Sequence, residues 1–210
     1  MNLENKKSNL LILLAVFIVG GCGNFSGNYE EIESSTSSDT TTSSDSTASF
    51  VAVGASGSIL TSSDLTTWAS RTSGTSNSLN GVTFGKYSYV AVGDNGTILT
   101  SPDRMNWTFR TSGISNSLSE ITYGDSVFMT VGANGQILTS PDGTTWTSRT
   151  SGTSTDLSGI TFANDHPPYS NSSFVVVGLG GTILTSLAQS YVVGRTSGTT
   201  KNLQGVAYKE

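Results

Sequence analysis

Four arginines recur in this 210-residue chain at a fixed place, and arginine is the side chain best suited to hold a carboxylate or phosphate through two hydrogen bonds. They open the RTSG segments and step by 39, 39 and 46 residues: Arg71, Arg110, Arg149 and Arg195. A catalytic or binding cluster needs different residues that converge from different parts of a fold. Because these four occupy the same place in each copy of a repeat, we interpret them as structural residues.

Other residues with catalytic chemistry are scarce. His166 is the one histidine and Cys22 the one cysteine, so a metal site with several His or Cys ligands is excluded. A His-based triad would depend on a single loop residue. The sequence contains neither a G-x-S-x-G nucleophile motif nor a phosphate-binding loop. We therefore expect no enzyme activity, no cofactor and no metal.

Departures from the repeat are better candidates for a binding site, because contact residues are often carried by loops on a rigid scaffold. An insertion of seven residues in the fourth unit includes Asp165, His166 and Tyr169. Glu120 stands where the other units have Gly81, Gly159 and Gly205. The candidate binding residues are Glu120, Asp165, His166 and Tyr169. Two alternatives stay open, a tolerated surface insertion in the fourth unit and sequence drift at position 120.

The repeat predicts the fold. Its valine-glycine phrase ends at Gly54, Gly93, Gly132 and Gly178, and it moves in register with the arginines. Each unit holds four short runs rich in Val, Ile, Thr and aromatic residues, in the second unit at 79–84, 89–93, 97–101 and 107–111. Asn-Gly pairs separate the second and third runs, as in a tight hairpin. Four antiparallel strands in a unit of about 40 residues describe a β-propeller blade. We predict an all-β propeller of four four-stranded antiparallel blades.

The turn between the third and fourth strands carries a family resemblance. Ser-x-Asp followed by Trp occurs in three units, and it resembles the Asp-box, or BNR, repeat of sialidase-type propellers, with six residues from Ser to Trp instead of seven. The wider phrase is similar to bacterial repeat propellers and to photosystem II stability and assembly factors. The resemblance implies that the aspartates and tryptophans hold the blades together: Asp64, Trp68, Asp103, Trp107, Asp142 and Trp146. The fourth unit has Ala188 and Val192 in their place.

The repeat region begins with a second strand at Phe50 and ends with a first strand at 203–208. If these two segments pair, the propeller closes on itself and leaves no exposed sheet edge. We therefore predict a ring closed by its N- and C-terminal strands, and a monomer. The alternative is an open half-ring that assembles with a second copy into eight blades.

The first residues predict an export signal. Lys6 and Lys7 precede an apolar run at 10–19, which is shorter than the ~20 residues of a membrane-spanning helix. The run closes on VGGC, which resembles the lipobox of bacterial lipoproteins, in which the cysteine is acylated. We predict a signal peptide at 1–21, lipidated Cys22 with a disordered Ser/Thr-rich tether at 22–48, and the propeller at 49–210. Gly23 and Asn24 favour an outer-membrane position; a Gram-positive cell would place the anchor on its plasma membrane.

Composition narrows the possible partners. The formal net charge is −5 and charged residues are 12% of the chain, so no basic face is expected for nucleic acid. We predict a lipid-anchored binding or scaffold module for a protein or glycan at the bacterial cell envelope. The family resemblances imply two alternatives, a sialidase-like glycan hydrolase and a periplasmic assembly factor for a membrane complex. A sialidase would need an arginine motif before the first Asp-box, and residues 23–49 contain no arginine.

Overall fold

The computed structural model describes residues 50–164, 173–187 and 191–209, all within the compact unit Asp45–Glu210. These residues form fifteen strands, and four three-residue turns join second to third strands: Ala55–Gly57, Asp94–Gly96, Ala133–Gly135 and Leu179–Gly181. The predicted leader, the tether and Cys22 lie outside the described residues, as do Asp165, His166 and Tyr169. Within the described part of the chain, no helix has the length and apolar character needed to cross a membrane.

The strands form four antiparallel sheets, or blades, in sequence order. Blade 1 has three strands: β1 (Phe50–Val53), β2 (Ile59–Ser62) and β3 (Ala69–Arg71). Blade 2 has four: β4 (Leu79–Gly85), β5 (Ser88–Gly93), β6 (Ile98–Ser101) and β7 (Thr108–Arg110). Blade 3 consists of β8 (Leu118–Gly124), β9 (Val127–Gly132), β10 (Ile137–Ser140) and β11 (Thr147–Arg149). Blade 4 consists of β12 (Leu157–Ala163), β13 (Ser173–Gly178), β14 (Ile183–Leu187) and β15 (Tyr191–Arg195).

Corresponding strands have the same place in every blade, and we call them first (β4, β8, β12), second, third and fourth. Consecutive strands pair as hairpins, so each blade is a meander. The turn between the second and third strands has the predicted hairpin geometry. In blade 2, Asn95 and Gly96 have φ of 54° and 66°, and Thr97 N–H donates to Asp94 O over 3.0 Å. Two consecutive left-handed residues make a type I′ turn, which explains why Asn-Gly occurs there.

The hydrophobic core lies between successive blades. Val90, Val92 and Ile98 of blade 2 pack against residues of blade 3 that include Leu118 and Phe128. The other side of the blade 3 sheet packs against blade 4, and a smaller cluster joins blades 1 and 2. Each fully buried aliphatic or aromatic side chain contributes roughly 1.5–3 kcal/mol. Stability therefore comes from blade-to-blade contacts that repeat with the sequence.

First strands of neighbouring blades lie side by side through a glycine–aromatic contact. The ring of Tyr123 covers Gly85 so closely that a Cβ there would overlap it, and Phe162 covers Gly124 in the same way. Each of these rings also packs on an aromatic ring of its own second strand, Phe128 or Phe174, with ring centroids 4.6 and 5.1 Å apart. The first strands thus form the inner layer, and the four blades follow one another as an arc.

The ring closure differs from the prediction. Among the described residues β1 pairs with β2 alone, and residues 203–209 belong to no strand. This C-terminal segment lies along blade 4, since Leu203 N–H donates to Gly178 O over 3.0 Å. A Cβ added at Gly54 or at Gly205 would meet nothing within 4 Å among the described residues, so no described strand covers that side of either glycine. Strand counting gives the number of strands, but the packing angle between blades decides whether four blades close.

Candidate functional site

Glu120 interrupts the inner layer at its centre. It lies on β8, is half-buried, and stands beside Gly81 of β4. A Cβ at Gly81 would lie 3.1 Å from Glu120 Oε1, so the carboxylate occupies the space that a side chain would otherwise fill. Ile121 N–H donates to Oε1 over 3.2 Å, and Thr130 Oγ1 donates to the Glu120 carbonyl over 2.8 Å. The glycine on the neighbouring strand therefore makes room for this carboxylate.

The environment of Glu120 disfavours its charged form. Burial raises the pKa of the Glu120 carboxyl above its usual 4.5, and the Ile121 N–H offsets only part of that effect. No cationic group among the described residues contributes to this shift. A buried carboxylate without a cation gains most from a partner that brings hydrogen-bond donors or a positive charge. Glu120 can therefore accept an amide N–H or an ammonium group from a ligand.

The three Ser-x-Asp turns are closed hydrogen-bond systems. In blade 3, Ser140 Oγ accepts from Gly143 N–H over 2.8 Å and lies 3.0 Å from Asp142 Oδ1, to which it donates. Asp142 Oδ1 also accepts the N–H groups of residues 144 and 145. Trp146 Nε1 donates to the Gly143 carbonyl. The same bonds recur around Asp64 and Asp103, and backbone N–H groups lower the pKa of all three aspartates.

The equivalent serine of blade 4 has a different environment. Ser186 is equivalent to Ser140, and its buried Oγ has no hydrogen-bond partner among the described residues. Ala188, two residues later, replaces the aspartate that accepts the serine proton in the other blades. The fourth unit therefore has no aspartate in its sequence at the position that accepts the serine proton in the other units.

The four repeated arginines make one common hydrogen bond. Each donates from Nε to the Oγ1 of a threonine ten residues earlier, over 2.8 Å. Each bond links the fourth strand to the third strand of the same blade. The pairs are Arg71–Thr61, Arg110–Thr100, Arg149–Thr139 and Arg195–Thr185. Each arginine therefore makes this hydrogen bond within its own blade.

Comparisons with known proteins add the fold family. No family model matches the chain, and no curated protein matches it. Fifteen chains of solved structures match, among them YCF48 bound to D1 peptide, with a TM-score of 0.56 and 18% sequence identity. The fold is a β-propeller. The match covers 75% of this chain and 52% of the YCF48 chain, so this chain spans about half the length of that propeller.

In several loops of the propeller, polar side chains form hydrogen bonds with the backbone of the same loop. Ser73 Oγ bonds within the Thr-Ser-Gly crossover to Thr75, and Ser112 and Ser151 repeat this bond. The crossovers at 70–76 and 110–116 line open surface depressions, which recur with the repeat. Asn80, which the sequence did not indicate, donates from Nδ2 to the Leu118 carbonyl of the next blade over 2.9 Å. The only sequence signal for Asn80 is an amide at the start of a first strand.

Exposed apolar side chains lie on the opposite face of the propeller. Tyr87, at the turn between β4 and β5, is 87% exposed, and Leu65 and Met105 in two Ser-x-Asp turns are more than half exposed. Lys86 Nζ beside Tyr87 donates to the Pro141 carbonyl of the next blade over 3.0 Å. Turns between strands 1 and 2 and between strands 3 and 4 share one face, so these side chains are presented together with the Ser-x-Asp turns.

Proposed function

We propose that this protein is a non-enzymatic binding module that holds an extended segment of a protein partner along its inner strands. The observation that carries the proposal is Glu120, a half-buried carboxylate placed where the repeat has glycine, with no cation among the described residues contributing to its pKa. An N–H or ammonium donor of the bound segment would complete its hydrogen bonds. YCF48, a propeller of related fold, has been solved with a bound peptide, which supports this class of partner.

A protein partner fits the surface better than a glycan. In three crossover loops one serine hydroxyl is engaged with its own loop backbone: Ser73, Ser112 and Ser151. Glycan binding would need many unengaged hydroxyl and amide groups. The exposed side chains of Leu65, Tyr87 and Met105 are apolar or aromatic instead, which is typical of protein contacts. Glycan binding, and hydrolysis of the sialidase type, are the alternatives that the test below separates.

The test uses a photo-crosslinking amino acid at Thr122, a half-buried position two residues from Glu120 on the same strand. Irradiated cells are expected to yield a covalent adduct with one envelope protein. The adduct should fall at least tenfold in a Glu120→Gly background, which restores the residue of the other units. Asp125→Asn, which removes a charge from the exposed turn of the same blade, is the control and should keep the adduct.

The outcomes of this experiment separate the alternatives. An adduct of equal yield with Glu120→Gly contradicts the role of Glu120. A glycan adduct, or turnover of a fluorogenic sialoside by the purified protein, contradicts the protein-binding module. Recovery of one membrane complex in the adduct identifies an assembly role instead of a general adhesive one.

The membrane position of the module is a separate proposal. We infer from VGGC at 19–22 that a lipid on Cys22 attaches the protein to the bacterial envelope, with an outer-membrane position favoured by Gly23 and Asn24. Cys22→Ser is expected to move the protein from the membrane fraction to the soluble fraction and to abolish incorporation of labelled fatty acid. Fatty-acid labelling that persists in Cys22→Ser would contradict the anchor.

A further inference from the structure

The two ends of the arc together carry the four strand positions of one blade. Blade 1 has second, third and fourth strands among the described residues, but no first strand. The residues that precede β1 at the spacing of a first strand, 40–45, read TTTSSD and lack the leucine and the aromatic residue of the others. At the other end, residues 203–208 read LQGVAY, the first-strand pattern, and have no second strand beside them.

Glycine positions agree that no first strand lies beside β1 among the described residues. A Cβ on the last residue of a second strand would collide with the backbone that leads into the first strand, at Gly93 with Ser78 O and at Gly132 with Ser117 O. At Gly54, the equivalent residue of β1, a Cβ would meet nothing within 4 Å. β1 is half-buried along its whole length, whereas β9 is fully buried. The edge of blade 1 that β1 forms is therefore open among the described residues.

The aromatic side chains at the two ends also form an incomplete pair. In each blade with a first strand, the aromatic residue near its end packs on an aromatic residue of the second strand. The pairs are Phe84–Tyr89, Tyr123–Phe128 and Phe162–Phe174, with centroids 4.7, 4.6 and 5.1 Å apart. Tyr208 and Phe50 hold the same two positions at opposite ends of the arc, and Tyr208 is 40% exposed. Among the described residues, neither Tyr208 nor Phe50 has the aromatic partner that its counterparts contact.

We propose that residues 203–208 of one copy of this chain pair with β1 of a second copy, so that two arcs form one closed ring of eight blades. The register follows from blade 2, in which Leu79 lies opposite Gly93, Val82 opposite Ala91, and Phe84 opposite Tyr89. It places Leu203 opposite Gly54, Val206 opposite Ala52, and Tyr208 opposite Phe50 of the partner copy. Two identical head-to-tail contacts close a two-fold ring and remove both open edges.

A second copy is the occupant because no strand pairing joins the chain's own C-terminal segment to β1 among the described residues. Leu203 N–H bonds to Gly178 O as Leu79 N–H bonds to Gly54 O, so the segment has the place of a first strand that follows blade 4. A Cβ built on Gly205 or on Gly54 would meet nothing within 4 Å among the described residues, so the side of each glycine that a Cβ would occupy is open. Strand addition at a free sheet edge supplies the missing backbone hydrogen bonds.

Cysteine cross-linking tests the register and the number of copies together. Ala52→Cys with Val206→Cys places two thiols on directly opposed residues, within the Cα separation that a disulfide requires. The Cys22→Ser background removes the one native thiol. Mild oxidation of the purified full-length chain is expected to give a species of twice the chain mass on a non-reducing gel. Ala52→Cys with Ala207→Cys, shifted by one residue, is the control and should cross-link at least tenfold less.

Each other result overturns the proposal. A disulfide within one chain would show a closed four-bladed ring instead, and products longer than two chains would show an open polymer. Absence of a disulfide together with a monomer in analytical ultracentrifugation would show that the edges stay free.

A second variant separates association from folding. Gly54 is extended, with φ of −172°, and has free space around it, so Gly54→Ala should leave the arc intact. The added methyl should block the incoming strand, as it would at Gly93. The dissociation constant of the dimer is therefore expected to rise at least tenfold with an unchanged circular-dichroism spectrum. An unchanged dissociation constant would contradict strand pairing at β1.

Discussion

At the scale of single residues, the same serine has opposite consequences in two blades. Ser140 Oγ serves two backbone N–H groups and the carboxylate of Asp142, whereas the buried Oγ of Ser186 has no partner among the described residues. A buried hydroxyl without a hydrogen bond costs stability, and a well-bonded one contributes. The local sequence around each serine therefore decides whether its hydroxyl stabilises the blade.

Replacement of each serine by alanine measures this difference. Ser140→Ala leaves the buried Gly143 N–H without its acceptor and should lower the free energy of unfolding by about 1–3 kcal/mol. Ser186→Ala removes an unsatisfied group and should change it by less than about 0.5 kcal/mol or raise it. Urea unfolding of the two variants side by side checks the prediction. Equal losses would mean that the Ser186 hydroxyl is hydrogen-bonded in solution.

At the scale of the strands, the inner layer depends on glycine where aromatic rings cross it. Tyr123 lies on Gly85 and Phe162 on Gly124, and each ring continues into the core of its own blade. The distance between neighbouring first strands is thus set by the thickness of an aromatic side chain packed against glycine. Any side chain on these glycines must push the ring away.

Gly124→Ala is expected to destabilise the protein by about 1–3 kcal/mol, because the new methyl overlaps the Phe162 ring. Gly194→Ala is the matched control on the outer strand β15, where a Cβ would meet nothing within 4 Å. It should be neutral or stabilise by about 0.4–1 kcal/mol through the unfolded state. The midpoint of urea unfolding distinguishes them. A loss at Gly194 equal to that at Gly124 would argue against the glycine–aromatic contact.

Local signals in the sequence predicted the strands and turns well, because Asn95-Gly96 and the alternating apolar runs act through neighbouring residues. Glu120 is a candidate binding residue because it departs from the repeat, but its burial depends on the adjacent strand, which the local sequence does not show. The bonds from the arginines to threonines ten residues earlier, and the bond from Asn80 to Leu118 O, join separate strands and have no local signature. Closure of the ring could not be predicted from local sequence either, because it depends on the angles between blades.

At the scale of the whole molecule, two sets of carboxyl groups oppose each other in the pH dependence of stability. Turn N–H groups lower the pKa of Asp64, Asp103 and Asp142 below the usual 3.8, so their contribution is present above that pH and is lost as the pH falls. Burial raises the pKa of Glu120 above 4.5, so its contribution is present below that pH and is lost as the pH rises.

The unfolding free energy is therefore expected to rise from strong acid to about pH 4 and to decline above about pH 5. Glu120→Gln should abolish the decline at higher pH and leave the acid limb unchanged. Urea titrations at intervals from pH 2 to 8, followed by tryptophan fluorescence, measure both limbs. A decline that survives in Glu120→Gln would assign it to another group.

The glycine–aromatic contact has a consequence for how such a chain can lengthen. Residues 86–124 span one period and carry both members of the contact, Tyr123 and Gly124. An in-frame copy inserted after Gly124 would lay its own tyrosine on that glycine and offer its own glycine to Phe162. Duplication of the gene segment would thus add a complete blade without inventing a new interface, and unequal crossing-over could change the number of blades in a single event.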